Sequence, residues 1–377
     1  MTLFLLKYYT TISSLEAATC DAAFGRKCGI IYKILARQRC LCQVRSVKYC
    51  KLKREMNRRQ FLFGAVAAGL GGVHAEEPSP SAEESPVRQA GTGIKIRFLG
   101  SGASGWDPEW ALKNPHMRRQ SSVLLEGRVL IDFTGCSFDL MPAGCRPEAL
   151  FQTHSHGDHY SPQAAVKSGV KRMYVQESWA AAAKADIAQA AEKLSLPAPE
   201  VIALPFGVAV EECGLKITGV PANHSTSRVT DGVLERTSLY LVEKGSARLL
   251  YATDTGGIPG DAARMVGIDP HVSQKNFGRY ENCKFVHEPQ PITALVMEAT
   301  NADLDEDFRL FVHSSVQTVS RTVNMLLSNG RYAPPPGQAA YITHLGLKYR
   351  GWPSEKVDME LPHPLRAAYD GLELELG

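Results

Sequence analysis

The chain has 377 residues, 44% hydrophobic and 21% charged, with 42 Lys and Arg against 39 Asp and Glu. That is enough to bury one large core or two ordinary ones without a disulfide framework, and it excludes a disordered polymer, a collagen-like repeat and a multi-span membrane protein. The formal charge of +3 averages two unlike parts: residues 1–75 hold 13 of the basic groups and three acids (Glu16, Asp21 and Glu55), which leaves 76–377 at −7. Five of the nine cysteines (Cys20, Cys28, Cys40, Cys42 and Cys50) also fall in the first 55 residues.

Within that basic leader, Met56-Asn57-Arg58-Arg59-Gln60-Phe61-Leu62-Phe63 opens an apolar, Gly- and Ala-rich run to Val73, followed by His74-Ala75 and the acidic Glu76-Glu77. Paired arginines, a short apolar stretch and a small residue before acids have the layout of a twin-arginine export signal over 56–75, cut after Ala75. The run from Phe61 to Val73 is too short for a stable membrane span. An ordinary N-terminal anchor or a buried helix is the alternative. Export signals open chains, so 1–55 reads as a non-native extension, and Cys40-Leu41-Cys42 lacks a second pair at metal-ligand spacing. Residues 76–93, rich in Pro, Ser and Glu, read as a disordered linker. The folded domain is expected over 94–377, in the periplasm or another extracytoplasmic space.

From Ile94 strands alternate with helices. Ile94–Leu99 reads as a strand entering Gly100-Ser101-Gly102, and Ser122–Leu125 with Val129–Asp132 as a hairpin. Ala149–Gln152 is a short strand, and the Ala-rich Glu177–Leu194 a helix. Val201–Leu204, Leu215–Val220, Ser238–Glu243 and Arg248–Ala252 add strands. Ala294–Glu298 is another, Ser314–Asn329 a helix with Val316, Val319, Val323 and Leu326 on its apolar stripe, and Ala340–Thr343 a strand. So many hairpins in an α/β chain predict a mixed two-sheet architecture.

Ala149–Gln152 runs into Thr153-His154-Ser155-His156-Gly157-Asp158-His159. Three imidazoles and a carboxylate in six residues supply nitrogen and oxygen donors suited to Zn²⁺ or a related first-row metal, and a strand end is rigid enough to aim them. Polar ligand-type residues follow three further apolar strands: His224 after Leu215–Val220, Asp254 after Arg248–Ala252, and His344 after Ala340–Thr343. A solvated His-rich loop explains the first cluster less well, because an apolar strand and Tyr160-Ser161-Pro162 enclose it.

In sequence order, His154-Ser155-His156-Gly157-Asp158-His159, His224, Asp254 and His344 resemble the motifs of the metallo-β-lactamase superfamily. The resemblance runs from about Ile94 to Gly377. It implies an αββα sandwich with a dinuclear metal site at the sheet edge. His154, His156 and His224 would hold one metal, Asp158, His159 and His344 the other, with Asp254 bridging. Zn²⁺ is the first choice of metal, with Mn²⁺ or Fe as alternatives.

Phe98-Leu99-Gly100-Ser101-Gly102 and the tail Ala368–Leu374 are similar to the first strand and turn, and the last strand, of the branch holding ribonuclease Z and the phosphonate-pathway cyclic phosphodiesterases. Glu298-Ala299-Thr300 and His313-Ser314-Ser315 resemble the Glu and His those phosphodiesterases place beside the scissile phosphate, so Asp158, Glu298 and His313 count as catalytic. A capping or surface role is the alternative for His313.

The resemblance thus implies a phosphodiesterase using a metal-bridged hydroxide, with His313 as general acid and a small phosphodiester as substrate. A lactonase- or β-lactamase-type acyl hydrolase and a non-enzymatic exported metal-binding protein are the rivals. No nucleic-acid partner is expected of a −7 body. A second copy of the chain is a candidate partner.

The region after the first Gly-rich turn, from Gly105 through Arg119, lacks the Cys ligands of the phosphonate-pathway enzymes, so no structural zinc is expected. Pro259–Pro291 reads as a substrate-side loop or lid. Arg118-Arg119 reads as a solvated turn, with phosphate binding the alternative. Trp106, Trp110 and Trp352 are core or pocket rim. The nine-residue separation of Cys136 and Cys145 permits a disulfide.

Overall fold

The computed structural model describes residues 93–104, 114–269, 290–304 and 308–377. The stretches read as an extension and an export signal, nearly all of the one read as a linker, Trp106, Trp110 and most of the Pro259–Pro291 segment lie outside the described residues.

Two seven-stranded sheets form the centre. The first runs from β1 (Ile94–Gly100) through β2 (Ser122–Leu125), β3 (Val129–Ile131), β4 (Ala149–Phe151) and β5 (Arg172–Gln176) to β6 (Glu200–Leu204). The second contains β7 (Ala209–Glu212), β8 (Leu215–Pro221), β11 (Ser238–Lys244), β12 (Ala247–Ala252), β13 (Ala294–Glu298), β14 (Ala340–Thr343) and β15 (Leu365–Ala367), in the spatial order β15-β14-β13-β12-β11-β8-β7. The last strand, β16 (Glu373–Leu376), returns to the first sheet and pairs antiparallel with β1, Ile94 facing Leu376. A separate hairpin, β9 (Val229–Thr230) with β10 (Val233–Leu234), follows β8. Strands β3 to β6 are mutually parallel, as are β12 to β15.

The hydrophobic pattern dictates this layering. Side chains alternate across a strand, so β12 sends Leu249 and Tyr251 between the sheets while Leu250 and Ala252 face the opposite way. The inter-sheet core adds Phe98, Phe151, Tyr240 and Val296. On the outer side of the first sheet, Leu130, Leu150 and Val175 pack against α1 (Pro162–Ser168) and α2 (Ala180–Leu194). On the outer side of the second, Leu295, Met297 and Ile342 meet α3 (Gly260–Met265), α4 (Val316–Ser328) and α5 (Ser354–Glu360). Helix, sheet, sheet, helix is the αββα order that the sequence resemblance implies.

Several elements differ from expectation. The Glu177–Leu194 helix opens as a separate 3₁₀ turn, Glu177–Trp179, because the Gln176 side chain accepts from Ser178 N and caps that turn. The Ser314–Asn329 helix starts at Val316: Ser315 Oγ accepts from Thr318 N at 3.1 Å, which makes Ser315 the N-cap. The last strand lies beyond most of Ala368–Leu374. Asp370 instead ties that stretch back to the first strand, accepting from Ser101 N and Oγ at 3.0 and 2.8 Å and from Arg119 N at 2.7 Å.

Arg118-Arg119 is no solvated turn. Arg118 is buried, donating to Ser101 Oγ and to the Ala368 carbonyl, and Arg119 pairs with Asp139 and Asp370. Cys136 and Cys145 are both free thiols: Cys136 sits beside Thr134 Oγ1, and Cys145 donates to the Gly127 carbonyl. Trp352 packs on the core of the second sheet, with Lys356 Nζ 3.6 Å from its ring centroid. No helix of the described residues is long and apolar enough to cross a membrane.

Candidate metal centre

The parallel strands β12, β13 and β14 end side by side, and each delivers one polar side chain at its carboxyl end. Asp254 follows β12, Glu298 terminates β13 and His344 follows β14; His224 follows β8 in the same sheet. From the first sheet, β4 delivers Thr153-His154 and the loop to His159, and β3 delivers Asp132. Asp132, Asp254 and His344 all have positive φ, at 52°, 48° and 49°. Non-glycine residues seldom adopt that conformation, and it bends the chain sharply where each strand leaves its sheet.

The potential ligand atoms fall into overlapping groups that share Asp254. The first joins His154, His156, His224 and Asp254, and the second joins Asp158, His159, His344 and Asp254. In the first, His156 Nδ1 is 3.0 Å from His154 Nε2 and 3.2 Å from His224 Nε2, while His154 Nε2 is 3.1 Å from Asp254 Oδ2. In the second, His159 Nε2 is 3.0 Å from both Asp254 Oδ2 and His344 Nε2, and Asp158 Oδ2 lies 3.3 Å from His344 Nε2. Asp254, Glu298, His313 and His344 form a third, overlapping group.

Every sequence-predicted site residue is therefore drawn into one cluster. The donors suit divalent cations. Asp254 Oδ1 is buried without a hydrogen-bond partner, and a buried orphan oxygen is costly unless something positive meets it. Imidazole nitrogens that face one another at 3.0 Å also converge as metal donors do.

The far nitrogen of four of these rings is engaged, and that fixes which nitrogen is left to bind. His159 Nδ1 donates to Asp132 Oδ2 at 2.7 Å, and His224 Nδ1 donates to the Val312 carbonyl at 3.0 Å. His154 Nδ1 lies 2.9 Å from Thr153 Oγ1, and His344 Nδ1 lies 2.7 Å from Thr300 Oγ1. Such outer partners set tautomer and ring angle.

Burial drives the His154 pKa down to about 3 and also lowers His156 and His224, which keeps these rings neutral as a ligand requires. His159 behaves oppositely: burial opposes the charge, but Asp254, Asp132 and Asp158 hold its pKa well above the usual value. Burial likewise opposes ionisation of Asp254, yet His344 and His159 keep its carboxyl well below the ordinary range. This carboxylate cluster draws positive charge to itself.

Glu298 is fully buried and its two oxygens are divided between partners. Oε1 accepts from Thr255 N at 2.6 Å and from His313 Nδ1 at 3.0 Å; Oε2 accepts from Thr300 N at 3.1 Å and from the Thr300 hydroxyl. Burial alone would lower the His313 pKa, but the Glu298 contact raises it. The capping alternative for His313 fails, because Ser315 occupies the cap. Ser314 Oγ donates to the Thr255 carbonyl.

Four supporting residues escape the sequence reading: Asp132, Thr153, Thr300 and Glu235. Glu235 accepts from Ser155 N at 2.7 Å and from its hydroxyl, which anchors the loop between His154 and His156. Asp132 had a usable signal, a polar residue directly after an apolar strand, as at Asp254 and His344.

Residues 129–316 match the family model of the β-lactamase superfamily domain. No curated protein sequence matches the chain. Among solved structures, the chain resembles Zn²⁺-bound PqqB from Methylobacterium extorquens, with 16% identity, a TM-score of 0.50, and coverage of 75% of this chain and 100% of that one. A diphosphatase of the PhnP family is 20% identical over 75% of this chain and 98% of that one, with a TM-score of 0.48. The short form of human tRNase Z is 16% identical over 75% and 99%, with a TM-score of 0.49. With the family model and the observed topology, the fold is the metallo-β-lactamase αββα sandwich.

Proposed function

We propose, from the premise that residues 129–316 carry a β-lactamase superfamily domain, that the chain is a metal-dependent phosphodiesterase. His154, His156 and His224 would hold one divalent ion and Asp158, His159 and His344 a second, with Asp254 between them, and Zn²⁺ is the metal that this donor set favours. When bound, such ions supply positive charge to the phosphoryl oxygens and lower the pKa of water.

The observation that carries the phosphodiester reading is the His313–Glu298 pair. A fully buried carboxylate 3.0 Å from His313 Nδ1 raises the ring's pKa beside the metal-ligand cluster, and Nδ1 also lies 3.6 Å from Asp254 Oδ1. An alkoxide leaving from phosphorus needs a proton, and a charged imidazole held by Nδ1 can donate it from Nε2. Asp132, Thr153 and the Val312 carbonyl hold the ligand rings in place, so the remaining residues orient and do not react. Hydrolysis of a lactone or β-lactam also releases a group that takes up a proton, and it calls in addition for a donor to the carbonyl oxyanion, so the choice of substrates in the test separates the two readings.

The test compares wild type, His313→Ala and Asp254→Ala on a phosphodiester, a lactone and a chromogenic cephalosporin, with metal content measured on each preparation. We expect phosphodiester turnover by the wild type. His313→Ala should lose about 10²- to 10⁴-fold on an alkyl diester and far less on a nitrophenyl diester, whose leaving group needs no proton. Equal losses on both remove the acid role, and turnover of the cephalosporin or lactone alone selects the acyl reading. Asp254→Ala should bind less metal and be inactive.

A further inference from the structure

The imidazoles of the site are oriented by one device used twice. On one side Asp132 accepts His159 Nδ1–H directly and reaches His154 through Thr153, whose hydroxyl donates to Asp132 Oδ2 at 2.8 Å and lies 2.9 Å from His154 Nδ1. On the other side Glu298 accepts His313 Nδ1–H directly and reaches His344 through Thr300, whose hydroxyl donates to Glu298 Oε2 and lies 2.7 Å from His344 Nδ1. Each buried carboxylate thus governs one ring by contact and a second through a threonine.

A hydroxyl has one proton and accepts with its lone pairs. The Thr300 proton goes to the carboxylate, so Oγ1 accepts from His344 Nδ1–H and leaves Nε2 as the binding nitrogen. The competing acceptor is Asp254 Oδ1, 3.1 Å from the same Nδ1, but it makes no hydrogen bond. Thr300 is itself immobilised. Its N–H donates to Glu298 Oε2, and its carbonyl presses on Gly346, where a Cβ would stand 1.8 Å from that oxygen.

We infer that Thr300 is a positioning residue serving two rings of the site: it fixes the binding nitrogen of His344 and, through the Glu298 carboxylate, the orientation of His313. The second half rests on the His313 role proposed above; the first does not. Thr300→Val keeps the shape and removes the hydroxyl, leaving His344 Nδ1–H without its acceptor and Glu298 Oε2 short of a donor. Thr300→Ser keeps the hydroxyl.

The experiment titrates Zn²⁺ into the metal-free whole chain against a chromophoric chelator, for wild type, Thr300→Val and Thr300→Ser. Thermal unfolding of the metal-free proteins confirms that each is folded, and Thr300→Ala replaces the valine variant if that one is not. Thr300→Val should bind one of its ions about 10- to 100-fold more weakly, as loss of an outer partner does elsewhere, while Thr300→Ser keeps the wild-type affinity. Wild-type binding by Thr300→Val, or an equal fall in Thr300→Ser, overturns the inference. With metal saturating, Thr300→Val should also share the selective loss of His313→Ala on the alkyl diester. An equal loss on both esters overturns the link to His313. If the wild type turns over no phosphodiester, the function proposed above fails, and the titration still decides the His344 half.

Discussion

Asp132 takes as many donors as Glu298 although it belongs to none of the ligand groups. It accepts from Thr153 N at 2.8 Å, Gln152 Nε2 at 2.7 Å, the Thr153 hydroxyl and His159 Nδ1, all without solvent. Replacing it by Asn puts an amide donor where only acceptors are tolerated, so at least one of those donors loses its partner. Asp132→Asn should therefore weaken Zn²⁺ binding by about 10- to 100-fold in a calorimetric titration, with His154 and His159 both affected. Unchanged affinity would mean that the rings are held by packing and not by Asp132.

At the scale of elements, the site depends on close passages between the turns that leave adjacent strands. Gly346, two residues past His344, passes the Thr300 carbonyl so tightly that no side chain fits between them. Gly346→Ala should cost about 3 kcal/mol in denaturant unfolding, because backbone on both sides must move, and should weaken metal binding with it. Gly135→Ala is the matching control, since a Cβ there meets nothing within 4 Å.

The same elements show what a sequence reader can and cannot see. Strands β12, β13 and β14 are apolar runs with a polar residue at or just past their ends, and His154, His156 and His159 fall within six residues, so the candidate ligands were legible. Thr153 and Thr300 were not, because a threonine beside a strand end is ordinary and its importance lies in which two groups its one hydroxyl connects. Strands β5 and β7 escaped as well. Arg172 and Gln176 end the first, and Glu211-Glu212 the second; their polar side chains hide a strand that tertiary contacts stabilise.

Those polar side chains act on the whole molecule, because they join the two sheets. Arg172 on β5 donates to Glu212 on β7, Nε to Oε1 at 2.5 Å and Nη2 to Oε2 at 2.7 Å, and the Tyr174 hydroxyl donates to the same carboxylate at 2.5 Å. The Arg172 contact, with the Tyr174 bond, holds the Glu212 pKa below its usual value despite burial. A carboxyl whose pKa is depressed by folding stabilises the fold above its unfolded value, and loses that contribution as pH falls through the folded value. Thermal unfolding of Glu212→Gln should consequently show a lower midpoint than wild type at neutral pH, with the gap closing on acidification below the ordinary carboxylate range. A gap that stays constant with pH would assign the effect to packing.

The pairing of Ile94 with Leu376 carries a further meaning. Neighbouring strands lie about 4.8 Å apart, so the domain's first strand begins almost where its last one finishes. Its backbone is close to a closed ring, and the adjacent ends of β12, β13 and β14 lie far in sequence from the point where that ring is open. A few residues would suffice to splice the ends together, or to graft the domain whole into a surface loop of another protein.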